Sequence, residues 1–374
     1  AGTKNCHAGL VSRYYLGFFW LVARPALIIT YLALLLTIFG LVMVGDASVV
    51  DASRDFANKW YYLKLQSGWA AIGLIGFFFC SKISYHRLEK LAAPFLFATL
   101  ALLLLVLIPG LGSKFLGARR WINLGFFSFQ PAELAKLTLA IYWAALLKKT
   151  KNFLPFVSVL GLVIGLVMLE PDMGTAIILT GIAVLTYFGS GGHPVKLALL
   201  VSIAGVAAGL LVLIAPYRLD RVKSFLDYTR DPLGSSYHIR QILLSLGSGG
   251  PFGVGLGQSR QKYEFLPEVT TDSIFAVIGE ELGLIGTSSL VIVYLIFTLA
   301  GLKIARSTSD PFGRNLALAL TAWIGLQSFT NIAAMAALIP LTGIPLPFIS
   351  YGGSSLVLVL IASGLLVSIS HQSS

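Results

Sequence analysis

The segment Pro25 to Val44, PALIITYLALLLTIFGLVMV, runs twenty residues without a charged side chain. About twenty apolar residues wound as an α-helix cross the roughly 30 Å hydrocarbon core of a bilayer. A helix does this with its backbone N–H and C=O groups paired internally, which lipid requires. The segment therefore reads as a membrane span. Lys4, Arg13 and Arg24 precede it, and the run is long enough to stay in the membrane, so no cleavable signal peptide is apparent. The start at Ala1 suggests a processed or engineered terminus.

Working outward, the 374 residues are 56% hydrophobic and 11% charged, with a mean hydropathy of +0.84. Soluble domains carry about 25% charged residues, so a soluble fold, a disordered chain and a disulfide scaffold are all excluded. Cys6 and Cys80 offer no disulfide framework and no metal-ligand spacing. Apolar runs between charged or Pro/Gly-rich breaks predict ten spans: 25–44, 65–81, 91–108, 132–147, 153–169, 173–189, 195–214, 273–302, 316–339 and 355–370. The fold class is all-α and polytopic, one transmembrane domain over residues 1–374 with a large loop, 215–272, between the seventh and eighth spans. No internal repeat is evident.

The net charge of +11 reports loops rather than nucleic acid. Ten spans place both termini on one side. That side collects Lys4, Arg13, Arg24, Lys82, Arg87, Lys90, Lys148, Lys149, Lys151, Lys196, Lys303, Arg306 and Arg314. The short loops opposite hold only Arg54, Lys59, Lys64, Lys114, Arg119 and Arg120. By the positive-inside rule the termini are cytoplasmic and the loop 215–272 is extracytoplasmic. Loops this long are commonly functional, so chemistry is expected there.

Within the loop, Pro216 to Phe225 is amphipathic and basic and contributes Arg218, while Tyr237 to Leu246 is helix-like and contributes Arg240. Gly247 to Gly257 lacks the strand and the Gly-Lys-Ser/Thr that a phosphate-cradling loop needs, and reads as a mobile connector. Arg240, Arg260 and Lys262 could meet an anionic headgroup. Asp272 stands where the loop re-enters the membrane. A carboxylate near a span is either a functional group or, here, a helix N-cap together with Thr271. Glu133 and Lys136, three residues apart, can pair on one helix face. Arg119, Arg120 and the interfacial Trp121 could bind lipid phosphate. Glu170 and Asp172 flank Pro171 and could hold a divalent cation, or only cap the next span. The five histidines have no zinc-hydrolase spacing, and His238 reads as a polar contact. Gln327 and Asn331, four apart, read as glue between helices.

Five blocks, in order, resemble the SEDS proteins (shape, elongation, division and sporulation). They are Gly117 to Trp121 with Phe129 to Lys136, Glu170 to Thr175, Phe265 to Glu268 with Thr271-Asp272, Ile278 to Gly283, and Gly343 to Ser355. The resemblance covers nearly the whole chain from residue 25. The Gly255 to Lys262 run looks more like the division branch than the elongation branch. What the resemblance implies is a peptidoglycan glycosyltransferase in the bacterial cytoplasmic membrane, polymerising lipid II at the outer face during division or elongation and releasing undecaprenyl diphosphate. It also implies Asp272 as the catalytic carboxylate and a class B penicillin-binding protein, a transpeptidase, as partner among other division proteins. The expected substrate-binding set is Arg119, Arg120, Trp121, Glu133, Lys136, Arg218, Arg240, Lys262, Glu268 and Ser354. Glu170 and Asp172 are the expected ligands of a divalent cation, Mg or Mn, and no organic cofactor or nucleic acid is expected. A lipid II flippase, with Glu133 and Lys136 along a headgroup path, is the alternative, and a non-catalytic scaffold for the partner is a third class. The chain departs from the commonest pattern at Thr270, where a histidine is frequent, and at Ser273, where an aromatic is frequent. No histidine is therefore expected beside Asp272.

Overall fold

The structure is a computed structural model that describes residues 24–372 except 111, 116, 117, 124, 126, 127, 230, 232, 233, 235 and 264. Lys4, Cys6, His7, Arg13, Gly117 and Glu264 lie outside the described residues. The elements run α1 Pro25–Ala47, α2 Val49–Phe56, α3 Tyr61–Lys82, α4 His86–Leu107, β1 Gly112–Phe115, β2 Ala118–Asn123, β3 Ser128–Phe129, α5 Pro131–Lys149, α6 Phe153–Leu169 and α7 Met173–Gly189. There follow α8 Pro194–Ile214, α9 Pro216–Leu226, α10 Tyr237–Gly249, α11 Ile274–Ser307, α12 Pro311–Met335 and α13 Gly353–Gln372. Each of the ten segments read as spans coincides with a helix. Seven of these, α1, α3, α4, α8, α11, α12 and α13, are long and apolar enough to cross a membrane. This is a mostly helical, polytopic membrane protein.

Burial sorts the helices. α5 is enclosed almost all round, and Ala132, Ala135, Ala140 and Ala144 let α4, α7 and α12 approach its backbone closely. α8 is the reverse: its most apolar stretch has a mean hydropathy of 2.8, yet among its residues only Leu200 is buried. An apolar helix with little protein around it is solvated by lipid. Residues Arg119 to Trp121, expected in a short loop, instead lie in β2, the centre of an antiparallel sheet ordered β1-β2-β3.

The Gly247 to Gly257 stretch is not a loose connector. α11 breaks at Gly283 (φ 65°, ψ −163°), and the stretch repairs the break. Val254 and Gly255 donate their N–H groups to the Glu280 and Glu281 carbonyls at 2.9 and 3.0 Å, and Leu284 and Ile285 donate to the Gly250 and Pro251 carbonyls at 2.9 and 3.1 Å. A continuous helix would pair residues 284 with 280 and 285 with 281, so the four groups freed by the break are all satisfied by the loop. A Cβ on Gly253 would stand 2.0 Å from the Glu281 oxygen, and one on Gly283 would stand 2.3 Å from the Gly253 nitrogen. Gly283→Ala, in a backbone region that only glycine enters freely, should destabilise the fold by at least about 2 kcal/mol. Thermal unfolding in detergent checks this, and an unchanged midpoint would contradict it.

Between α12 and α13 the chain is irregular but buried, with Ile344, Leu346, Phe348 and Ile349 inside the bundle. Such backbone is tolerated at membrane depth when protein satisfies it. Gln327 and Asn331 do so, donating to the Pro345 and Ile344 carbonyls at 3.0 and 2.7 Å. Gln327 also bridges helices as expected, accepting from Lys136 Nζ of α5 at 2.8 Å, whereas Asn331, among the described residues, binds no second helix in this way and holds the loop against the turn that carries Asp272.

Candidate functional site

The site assembles where three non-helical segments meet: the turn 267–273 before α11, the irregular 341–352 loop, and the Glu170-Pro171-Asp172 corner between α6 and α7. Asp272 is presented by the first. Its backbone oxygen accepts from Asn331 Nδ2 at 2.9 Å, the Thr271 carbonyl accepts from Ser350 Oγ at 2.5 Å, and the Thr270 carbonyl accepts from the Tyr351 N–H at 2.8 Å. Asp272 is not the helix N-cap; that position is Ser273. The carboxylate faces Gly343 closely enough that a Cβ there would meet Asp272 Oδ2 at 3.4 Å and Arg221 Nη1 at 3.7 Å. Arg221 in turn donates to the Leu341 carbonyl at 3.2 Å.

Burial pushes the Asp272 carboxyl up to about 7; Glu268 and Asp172 push the same way, and Arg221 and Arg120 oppose them. The result is a carboxylate whose proton affinity sits near neutrality, the range that suits a general base. Glu268 lies on the same turn, exposed, and accepts from Thr271 Oγ1 at 2.8 Å.

The Glu170–Asp172 corner faces Arg120, whose Nε donates to the Glu170 carbonyl at 3.0 Å and whose Nη2 donates to the Pro171 carbonyl. Asp172 caps α7, accepting from Thr175 N at 3.0 Å and Thr175 Oγ1 at 2.8 Å, with Gln130 Nε2 at 3.3 Å. Glu170 is fully buried, and neither of its carboxylate oxygens has a partner. Burial, then the neighbouring Asp172, raises its carboxyl to about 8, with Arg120 opposing. Two carboxylates, one of them unsatisfied, fit a hard cation that keeps several waters, although no third acidic, His or Cys group joins them among the described residues.

Other expected contacts lie elsewhere. Lys262, 4% exposed, is consumed by Asp46 at 2.8 Å and Glu281 at 3.0 Å, so it locks α1 to α11 and cannot meet a headgroup. Arg218 folds back over the end of α8, donating to Tyr217 Oη at 2.8 Å and the Leu211 carbonyl at 3.0 Å; it caps a helix. Ser354 ties α13 to the entry of α5, accepting from Gln130 N at 3.3 Å. Lys136, 1% exposed, pairs with Glu133 at 2.6 Å and Gln327 Oε1 at 2.8 Å, inside the bundle. Arg119 and Trp121 pair with Lys114 and Ser113 of β1, and Arg120 between them is the extra residue of a β-bulge, which aims its side chain at the α6–α7 corner. Arg240 is half-buried on α10 two residues from His238, hence on a different helix face.

The residues that sequence reasoning passed over are Arg221, Gly343 and, as a neighbour of Asp272, His238. Arg221 lies one helical turn from Arg218, and nothing local distinguishes the two. His238 Nε2 stands 2.8 Å from Ser273 Oγ, so a histidine does adjoin the Asp272 turn, delivered by α10.

The model of the FtsW/RodA/SpoVE cell cycle proteins matches residues 26–374. A probable peptidoglycan glycosyltransferase FtsW from Geobacter sp. (strain M18) is 40% identical, over 92% of this chain and 96% of that one. Stage V sporulation protein E of Bacillus subtilis (strain 168) is also 40% identical, over 93% and 98%. Among solved structures, one describing coordination of polymerization and crosslinking by a peptidoglycan synthase complex matches with a TM-score of 0.76 at 28% identity, covering 92% of this chain and 97% of that one. The rod shape determining protein RodA of Thermus thermophilus matches with a TM-score of 0.67 at 27% identity, over 92% and 96%.

Proposed function

The chain belongs to the FtsW/RodA/SpoVE family of cell cycle proteins, and from that membership and the geometry of the site we propose that it is a peptidoglycan glycosyltransferase that polymerises lipid II into glycan strands. The observation that carries the reading is Asp272, a carboxylate on a turn whose carbonyls are held by Asn331, Ser350 and Tyr351 and which meets Arg221 at Gly343, with burial raising its proton affinity. The sugar 4-hydroxyl of one lipid II attacks the anomeric carbon of another. The new C1–O4 bond forms as the C1–O bond to the diphosphate breaks, with inversion. Asp272 takes the hydroxyl proton, and undecaprenyl diphosphate leaves with the bonding pair. Arg120 and Arg221, the two cations whose charge reaches the carboxylate, stabilise the charge that develops on the leaving group. Each also raises the ionised fraction of Asp272.

Glu170 and Asp172 are the residues that would hold a divalent cation, which supplies further charge neutralisation for a diphosphate. The carbonyls of residues 270 to 272, each accepting a hydrogen bond, keep the base oriented whether or not that cation is present.

The asymmetry of short-loop basic residues supports both termini in the cytoplasm and this site at the outer face of the cytoplasmic membrane. The relatives named FtsW support the division branch. The likeness to a synthase complex supports a class B penicillin-binding protein as partner. The flippase reading rested on Glu133 and Lys136 lining a headgroup path, and both are enclosed between α5 and α12.

The test is strand formation on a gel from purified lipid II, using the detergent-solubilised chain with its partner. Strands are expected, with the rate falling about tenfold or more on chelation and returning with Mg or Mn. Absence of strands even with the partner, alongside transport of labelled lipid II in vesicles, would overturn the reading. A chelator-insensitive rate would remove the cation from it.

A further inference from the structure

Ser273 closes the Asp272 turn on itself by donating its hydroxyl proton to the Pro267 carbonyl at 2.9 Å. With that proton committed, the 2.8 Å contact between Ser273 Oγ and His238 Nε2 requires the histidine to donate. His238 therefore carries its proton on Nε2, and Nδ1 keeps a lone pair. Ser273 occupies the N-cap position of α11 but makes no side-chain cap. A serine there ordinarily turns its hydroxyl onto the first-turn N–H groups. This one is turned away, toward α10 and Pro267. The local bond that serine favours has been given up for one that ties two distant elements together.

We propose that His238 is a positioning residue for the general base: a neutral imidazole that anchors α10 to the Asp272 turn through Ser273. The inference rests on the polymerase reading above and deepens it. Four contacts hold this turn. Three come from Asn331, Ser350 and Tyr351 and act on its backbone carbonyls. The fourth, His238–Ser273, acts on the side chain next to the carboxylate and is the only one that comes from α10.

Neutrality matters as much as the bond. Charged groups already face Asp272 from its own turn (Glu268), from α9 (Arg221), from the α6–α7 corner (Asp172) and from β2 (Arg120). A further cation at position 238 would draw the Asp272 proton affinity down and weaken it as a base. Burial, with Arg221 nearby, holds the imidazole down at about 4, so it serves as an N–H donor without adding charge at working pH. A lysine could reach the same oxygen but would bring that charge.

The experiment compares wild type, His238→Ala, His238→Gln, Ser273→Ala and the double variant His238→Ala/Ser273→Ala in strand formation with the partner, across a range of pH. His238→Ala and Ser273→Ala should each lower kcat about tenfold or more, with KM nearly unchanged, since misplacement of a catalytic group penalises the chemical step. The double variant should be no worse than the poorer single, because both remove one chain of bonds. His238→Gln, which keeps a neutral donor, should recover to within a few-fold. The acid-limb midpoint should fall in His238→Ala as water reaches Asp272. Nitrogen NMR of labelled histidine should show a neutral ring protonated on Nε2 at pH 6. The proposal is overturned if the two single effects add, if Gln is no better than Ala, if the midpoint stays put in a folded His238→Ala, or if the ring is charged at pH 6. If wild type itself makes no strands, it is the polymerase reading that falls. An active wild type with indifferent His238 variants rejects this inference alone.

Discussion

Asp272→Asn lowers strand formation by about 10²- to 10⁴-fold, the usual worth of a general base, while the chain folds and binds its partner as wild type does. The amide keeps the size of the carboxylate but cannot take the hydroxyl proton. In wild type the rate should rise with pH through about 7, because the base must be ionised and burial, with Glu268 and Asp172 adding to it, holds its proton on longer than usual. Arg221 and Arg120 moderate that shift, and the neutral His238 adds nothing to it. Stability runs the other way. The folded-state value lies above the ordinary 3.8, so the folded protein binds the extra proton and this stabilisation is lost as pH rises through about 7. Asp272→Asn, never charged, should therefore unfold at a higher temperature than wild type at pH 8, and the difference should shrink toward pH 5. Strand gels across pH and thermal unfolding at the two pH values check both halves. A folded variant that polymerises at the wild-type rate would remove Asp272 from the chemistry.

The second large effect is on folding. Lys262→Met should destabilise the protein by about 3 to 5 kcal/mol, because removing one member of a buried ion cluster leaves the others uncompensated. Glu281 is fully enclosed, and its Oε2 already lacks a partner. Glu280, beside it, is held by Ser259 Oγ at 2.5 Å and by the Arg260 N–H at 2.8 Å, so it cannot turn to help. Asp46 is 21% exposed and can regain water. The double variant Lys262→Met/Glu281→Gln should therefore recover most of the loss. Unfolding midpoints and membrane abundance of the single and double variants decide the matter. A single variant as stable as wild type but with a raised KM would make Lys262 a substrate contact after all.

The span pattern was legible because burial in lipid depends on runs of neighbouring residues, and a run is a one-dimensional property. The same locality explains why Asp272 stood out: a carboxylate at the mouth of an apolar segment is costly wherever the rest of the chain lies. It equally explains the misassignments. Arg218 and Arg221 share one short amphipathic helix. What separates them is that Arg221 reaches the Leu341 carbonyl 120 residues away while Arg218 turns back on Leu211. Lys262 looked like a headgroup ligand because its partner Asp46 is 216 residues distant in the chain.

By itself, then, the sequence determined a polytopic helical membrane protein, its ten helical segments, its family and the carboxylate worth testing. Each follows from local hydropathy, from the cost of a charge near lipid or from contiguous motif blocks. Only the tertiary structure decided which cations face that carboxylate, that the glycine stretch completes the broken α11, and that a histidine reaches the Asp272 turn from α10. Ion pairs and side-chain hydrogen bonds act over about 3 Å, and which groups come that close is set by the packing of helices far apart in sequence.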